Sequence, residues 1–369
     1  MKFVCSQKDL VNAVNTVSKA IAVRTTLPIL EGIRLKGENN IIEFYCTDLK
    51  IAIKTRIPAS FNESFSCVMP GRLFGEVVRR LPEDDVVIEM TPGQAGSYSV
   101  QIQCRDYKTT LVALDDSEFP ETAEQETENP IQIEEGTLRA MIRQTIFAVA
   151  QDNTRPIFTG ELLEIENNSI NLVALDGFKF ASRSMPLEGT VENRRCVVPG
   201  RALLEVMRIL EDTSEKIELH ITNNNFMMKK GLTRVMTRLL EGEYIRYSQI
   251  IPKNETTSVR IDVDSLRSAI SRAELIVQDE RVNLVKLSIG VDEIIVSSQS
   301  ESGNVRERIV CETQGNQMDV AFNIRYLSEV LRALECEEVM LNLTTAVSAC
   351  VMKPAANESF LYLVLPVQI

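Results

Sequence analysis

The side chains best placed to do chemistry in this chain are arginines, held at fixed spacing in a segment that occurs three times. "PGRLFGEVVRRL" (70–81), "PGRALLEVMRIL" (199–210) and "NIRYLSEVLRAL" (323–334) all keep Arg-x-x-x-Glu-Val-x-Arg-x-Leu. Arg72, Arg201 and Arg325 are 129 and 124 residues apart, and Glu76, Glu205 and Glu329 keep step with them, as do Arg79, Arg208 and Arg332. Guanidinium groups repeated along helices suit phosphate oxygens, a binding chemistry rather than a catalytic one. The usual catalytic signatures are missing: the sequence has no Gly-x-x-x-x-Gly-Lys-Ser/Thr loop, no Gly-x-Gly-x-x-Gly and no Gly-x-Ser-x-Gly. The single histidine, His220 in "KIELHITNN", cannot build a histidine-based metal site alone and reads as a strand residue. The acidic clusters "PEDD" (82–85) and "LDD" (114–116) could hold Mg²⁺, but at helix ends and joints they read first as solvated turn carboxylates. No Trp and 5% aromatics leave little material for stacking on unpaired bases.

The elements that position these arginines repeat as well. A second helix precedes each segment: "DLVNAVNTVSKAI" from 9, "TLRAMIRQTIFAVA" from 137 and "SLRSAISRAELIVQ" from 265. Their leading leucines Leu10, Leu138 and Leu266 are each 128 residues apart, and each heads a stripe of apolar or small residues at helical period. Between the helices, "NIIEFYCTDLKIAIKTRIP" (40–58) and "SINLVALDGFKFASRSMP" (169–186) alternate apolar and polar residues around Asp48 and Asp176, with "DEIIVSSQSESGNVRERIV" (292–310) at the third place. "DDVVIEM", "EKIELHI" and "EEVMLNL" follow the second helices. The expectation is an α+β protein of three homologous domains, 1–127, 128–252 and 253–369, each helix, strands, helix, strands, with two helices against antiparallel sheet. Acidic, proline-broken joints fall at 115–130 and 250–260.

Composition bounds the class. The chain has 369 residues, 44% apolar and 25% charged, as in a globular protein, and no apolar run approaches the length of a membrane span. The N-terminus "MKFVCSQKDL" carries no apolar signal core, and eight scattered cysteines make no Cys-x-x-Cys pair, so a cytoplasmic protein with reduced thiols is expected. The net charge of −12 argues against nucleic acid until it is located. The helical segments 6–24, 70–82, 137–151, 199–210, 265–278 and 323–334 together carry +9, leaving −21 for the remainder. An acidic protein has gathered positive charge on its repeated helices, the one surface a phosphate backbone would favour.

"RTTLPIL" (24–30), "PGRLFGEVVRRLP", "FAVAQDNTRPIFTG" (147–160), "LDGFKF", "VVPGRALLEVMRIL", "LEGEYIRYSQIIPK" (240–253), "FNIRYLSEVLRAL" and "YLVLPVQI" fall in order along the whole chain. Together they resemble the bacterial DNA polymerase III β sliding-clamp family. The resemblance implies a non-catalytic processivity subunit without cofactor or metal. It implies a head-to-tail homodimeric ring around double-stranded DNA that tethers the replicative polymerase. It carries Arg24, Arg72 and Arg201 to DNA-facing positions. The charge reading adds Arg79, Arg80, Arg139 and Arg143. At the dimer interface it sets Thr109 and Leu111 against Leu275 and Ile276, with Thr109 in place of a larger apolar residue.

The family takes short peptides from polymerase, clamp loader and repair proteins in a cleft between its second and third domains. The matching positions are Arg155, Phe158, Leu175, Gly177, Phe178, Lys179, Phe180, Ile245, Ile250, Val347, Leu363, Leu365, Pro366 and Val367. This chain has Phe178-Lys179-Phe180 where the best-known pattern has His-Arg-Leu, Ile245 for a proline, Gln249 for an arginine, and Val367-Gln368-Ile369 for Met-Arg-Leu.

Geometry is consistent with a ring of two chains. Six helices of ~10 Å side by side in a circle leave a bore of only ~9 Å, whereas twelve leave roughly 28 Å, enough for a duplex about 20 Å wide. Two other readings stay open on the residues alone. One is an α+β enzyme with a metal on its acidic clusters; the other is a protein-only scaffold whose helix arginines are paired with acids.

Overall fold

The computed structural model describes residues 1–94, 96–189, 191–277, 283–356 and 359–368. Gln278, at the end of the expected 265–278 helix, and the terminal Ile369 lie outside them. Six α-helices occur among the described residues: α1 (Gln7–Val17), α2 (Gly71–Arg79), α3 (Glu135–Thr145), α4 (Gly200–Ile209), α5 (Val263–Val277) and α6 (Ile324–Ala333). They fall two to each sequence repeat, with antiparallel strands around them. No helix among the described residues is long and apolar enough to cross a membrane.

Local chemistry explains the helix starts. Ser6 caps α1, its hydroxyl accepting from the Asp9 amide at 3.1 Å, and Asn323 caps α6 by accepting from the Arg325 amide at 3.0 Å. α2 and α4 have Pro-Gly instead because there the backbone packs too closely for a side chain. A Cβ on Gly71 would lie 2.7 Å from the Glu31 carbonyl oxygen, and one on Gly200 2.8 Å from that of Thr159. Each helix buries the stripe its sequence marks: Leu10, Ala13, Val14 and Val17 in α1, Phe74 and Val78 in α2, and Leu266, Ala269, Ile270 and Ala273 in α5.

Two expectations need correction. The positive stretch 6–24 is not one helix: α1 stops at Val17, a single 3-10 turn runs Ser18–Ala20, and Arg24 sits on the loop beyond. Ser18 turns its hydroxyl back onto the Val14 carbonyl at 2.5 Å, and Pro28 lies downstream. Likewise α3 ends at Thr145 and gives way to a 3-10 turn, Ile146–Ala148. Each repeat also opens with a short strand rather than a helix: Lys2–Ser6, Ile131–Glu134 and Thr257–Asp262. Four to six residues of alternation are too few to stand out ahead of a strong helical pattern.

The chain divides into two compact units. One contains residues 1–136 and 208–239, the other 137–207 and 240–369, so the central repeat is shared between them. In the first unit all strands join one thirteen-stranded sheet. There the last hairpin strand of the central repeat, Thr233–Arg238, pairs antiparallel with Ile51–Pro58 of the first repeat, with Met236 opposite Ala52. The second unit has a nine-stranded and a four-stranded sheet. Here Phe360–Val364 of the third repeat pairs with Lys179–Pro186 of the central one, with Leu363 opposite Phe180. The two joints use equivalent strands of successive repeats.

The second unit also buries a carboxyl group. Glu161 is fully enclosed, with Oε2 3.0 Å from the Thr145 hydroxyl, which also reaches the Met141 carbonyl at 2.8 Å. One hydroxyl proton cannot satisfy both acceptors, whereas a neutral carboxyl brings its own. Burial pushes the Glu161 carboxyl up to about 8. Because the folded-state value is raised, the native state holds a proton that the unfolded chain has released, and stability falls as pH climbs from about 4.5 to 8. At about 1.4 kcal/mol per pKa unit the loss reaches a few kcal/mol. Glu161→Gln should melt above the parent at pH 8.5 and vary less between pH 5 and 8.5. Parallel melting curves across that range would mean the group is not buried neutral.

Candidate functional site

Three surfaces carry the residues singled out in the sequence: a basic helix face, an apolar cleft, and two open strand edges.

In the first unit the basic residues gather on α1, α2 and the loop between Ala20 and Pro28. Arg79 donates from Nε to Asn15 Oδ1 at 2.7 Å, tying α2 to α1, and its guanidinium lies over Gly75. Arg72 projects almost wholly into solvent, 94% exposed, and meets Glu76 one turn on at 3.4 Å. Such an exposed pair contributes little and leaves the guanidinium available. Arg24 and Arg80 are exposed and have no carboxylate partner among the described residues.

The second unit is more neutralised. Arg143 is held by Glu335, Arg272 by Glu307, and Arg332 by Glu274 at 3.4 Å. Arg267 spends its donors on Asp264 and on the Leu331 and Leu334 carbonyls. Arg139 is half-buried and Arg201 is exposed. The repeated Glu therefore does different work in each copy. Glu76 meets Arg72, Glu205 is buried, and Glu329 reaches Lys179 at 2.5 Å.

The acidic turn 82–85 is engaged too, with Asp84 accepting from Arg105 Nε at 2.7 Å. That bond holds the Asp84 carboxyl below its ordinary range.

Several of the residues nominated for the cleft pack together in the second unit. Phe158, Leu175, Phe180 and Leu363 form a buried floor with Tyr244, and Ile245 and Tyr247 pack against it half-buried. Tyr247 stacks on Phe180 with centroids 5.6 Å apart and donates to Glu164 at 2.5 Å. Phe178 (60% exposed), Ile250, Val347 and Leu365 of the same unit stay in solvent and would form an apolar rim to that floor. Arg155 sets its guanidinium over the Phe158 ring at 5.8 Å.

An Asx turn aims the rim. Asp176 Oδ1 accepts from the Phe178 and Lys179 amides at 2.9 and 3.0 Å, and Gly177 supplies the left-handed backbone, φ +96°. The C-terminal segment is anchored beside it, Leu365 donating to the Phe178 carbonyl at 2.9 Å and Val367 to that of Ala321 at 2.8 Å. Pro366 and Val367 are half-buried.

Lys179 differs from its neighbours. It is buried, with Nζ donating to the Phe147 carbonyl at 2.6 Å and to Glu329 at 2.5 Å, so it fixes the turn from below and offers no free cation to the cleft. Sequence reasoning missed Tyr326, whose ring stacks under Phe178 at 6.3 Å. Its signal was an aromatic in the third copy of the repeated segment, where the other copies have Leu73 and Ala202.

The third surface is made of strand edges. Gly303–Val310 ends the four-stranded sheet, bonded among the described residues only to Glu293–Ser300, and exposes Val310 at 75%. On the preceding helix Leu275 is 72% exposed and Ile276 half-buried. Tyr107–Leu114 pairs along its length with Ser97–Cys104, but on its other side meets its neighbour strand at one pair alone, Val68 with Leu114. Along it Leu111 points into the sheet and is buried and Thr109 is half-buried, while Val112 (64%) and Leu114 face solvent.

Family models of the DNA polymerase III beta subunit match the chain end to end: the N-terminal domain at 1–123, the central domain at 132–245 and the C-terminal domain at 248–368. The beta sliding clamp of Staphylococcus aureus is 30% identical over 378 aligned positions, covering 100% of this chain and 99% of its own. The crystal structure of the DNA polymerase sliding clamp from Bacillus subtilis superposes with a TM-score of 0.95 at 31% identity, covering 100% of this chain and 99% of its own. A DNA polymerase III beta subunit from Eubacterium rectale gives 0.94 at 32%, with full coverage of both. The fold is thus the clamp fold that the resemblance implies, built from the α+β repeats read in the sequence, and the protein is a non-catalytic processivity subunit of DNA replication. The chain belongs to the DNA polymerase III beta subunit family, the bacterial beta sliding clamps.

Proposed function

We propose that two copies of this chain close head to tail into a ring that encircles duplex DNA, tethers the replicative polymerase in the cytoplasm, and receives partner peptides in the cleft of the second unit. The observation that carries the ring is the strand joint. The repeat pairs the last strand of one copy with the hairpin strand of the copy before it, 233–238 with 51–58 and 360–364 with 179–186. Three repeats have three such strands of each kind, so one of each is left over: the hairpin strand Gly303–Val310 and the last strand Tyr107–Leu114. They lie in the third and first repeats, so joining one copy's hairpin strand to a second copy's last strand makes a heterologous contact, and two such contacts close the proposed ring of two chains. Exposed Val112, Leu114, Leu275 and Val310 give that contact apolar material. Thr109 and Leu111 lie on the same strand, supporting it from the inward side.

A ring needs little affinity for DNA. Arg24, Arg72, Arg79 and Arg80 on the first unit, with Arg139, Arg143 and Arg201 on the second, supply phosphate contacts without base readout, and topology provides retention. The exposed rim of Phe178, Ile250, Val347 and Leu365 over an aromatic floor suits a short peptide with apolar anchors from polymerase, clamp loader or repair proteins.

Sedimentation velocity at micromolar concentration should show a dimer for the parent and a monomer for Val112→Asp or Val310→Asp. A dimer in both variants would place the interface elsewhere. Arg24→Glu combined with Arg72→Glu should shorten the lifetime of clamps loaded on nicked circular duplex several-fold at low salt without altering the dimer. An unchanged lifetime would remove these arginines from the DNA surface. Phe178→Ala with Leu365→Ala should weaken a polymerase-derived peptide by tenfold or more, about 1.4 kcal/mol or above, at unchanged melting temperature. Undiminished binding would empty the cleft of its proposed role.

A further inference from the structure

The first unit contains a second groove built on the same plan as the cleft. A cavity of about 490 Å³ opens between the turn 47–52, the segment 120–125 and the strands carrying His220, Phe226, Met227 and Met236. That volume is in the range of ligand sites. Its parts correspond one by one to those of the cleft. Asp48 Oδ1 accepts from the Lys50 and Ile51 amides at 3.0 and 2.9 Å, as Asp176 does from those of Phe178 and Lys179. Met236 stands opposite Ala52 as Leu363 stands opposite Phe180. Phe119 takes the place of Tyr247, buried against Tyr45 with centroids 5.5 Å apart.

Two features separate this groove from a structural remnant. At the left-handed turn position, where the cleft has glycine, stands Leu49, φ +73° and 58% exposed. A branched apolar residue held there costs on the order of 1 kcal/mol or more, and it keeps an apolar side chain in water at the cavity mouth. The mouth is also cationic. Lys50 and Arg238 are exposed and adjacent, Thr237 donating to the Lys50 carbonyl at 2.9 Å, and neither has a carboxylate partner among the described residues. The acid that lines the cavity, Glu121, is occupied by Arg34 at 3.2 Å and Lys54 at 3.7 Å. His220 accepts at Nδ1 from the Thr127 amide at 3.0 Å, so its Nε2 carries the proton and faces Glu218 at 3.2 Å. The wall is fixed, since Tyr45 Oη accepts from the Thr122 amide at 3.0 Å and donates to the Thr122 hydroxyl at 2.9 Å.

We propose that this groove is a second docking site, for a short acidic peptide that sets one apolar side chain against exposed Leu49 at the mouth, above the buried Met227 and Met236, and its carboxylates against Lys50 and Arg238. The peptide class rests on reading the cleft as a peptide site. Nucleic acid fits less well, because Phe226 in the lining is buried and offers no stacking face.

The test is a titration of full-length protein labelled at the methionine methyls with ¹³C, using the acetylated hexapeptide Asp-Glu-Leu-Leu-Asp-Glu as probe and the oligonucleotide dT₆ as comparison. Met227 and Met236 should shift saturably with the peptide. Lys50→Glu with Arg238→Glu should weaken that response by about tenfold or more. Phe178→Ala should leave it unchanged. The proposal is overturned if the two methyls do not shift, if their shift survives charge reversal, if it disappears in Phe178→Ala, or if dT₆ produces it at lower concentration than the peptide. Loss of partner peptides from the cleft with these shifts intact would instead defeat the cleft reading alone.

Discussion

An edge strand must hydrogen-bond its outward amides and carbonyls to something, and the arrangement of this protein follows from how its repeat meets that requirement. Each copy presents one hairpin strand and one final strand. Between successive copies the two kinds pair antiparallel, extending the sheet across the joint. The joint divides the central repeat, so that its final strands continue the sheet of the first repeat and its hairpin strands that of the third. A compact unit of this chain is therefore not a repeat but the neighbourhood of a joint.

The same joints create the grooves. Pairing 179–186 with 360–364 brings the Asp176 turn beside the C-terminal strand, and the aromatic floor forms beneath them. Pairing 51–58 with 233–238 sets the Asp48 turn beside Arg238 over a floor of methionines. One geometry thus yields two surfaces of different chemistry. The difference lies in a few side chains: Gly177 against Leu49, Phe178 against Lys50, and Lys179 against Ile51. Lys179 is buried and paired with Glu329, which holds the aromatic turn from beneath, whereas Ile51 needs no partner.

The charge distribution also takes its meaning from contacts. Sequence arithmetic credits every helix with net positive charge, yet the ion pairs divide them. On the first unit Arg24, Arg72 and Arg80 project into solvent, with Arg72 facing only an exposed glutamate. On the second, Arg143, Arg272 and Arg332 each hold a carboxylate, Glu335, Glu307 and Glu274. Of these arginines, those of the first repeat keep their guanidinium groups in solvent.

The sequence by itself determined the threefold repeat, both helices of each copy, the hairpins turning at Asp48 and Asp176, and the family, because each is written in local period, spacing or motif. It also nominated residues for a partner cleft, through their resemblance to a known pattern. It left out the opening strands, which are too short to announce themselves, and it ran α1 past the point where Ser18 bonds back to Val14. Only the tertiary structure decided that Lys179 is buried, that Tyr326 lies beneath Phe178, that Leu111 faces inward while Val112 faces out, and that a second groove exists at Leu49. Each of those depends on which strand edges meet. Pairing between residues more than a hundred positions apart leaves no trace in the period of either segment.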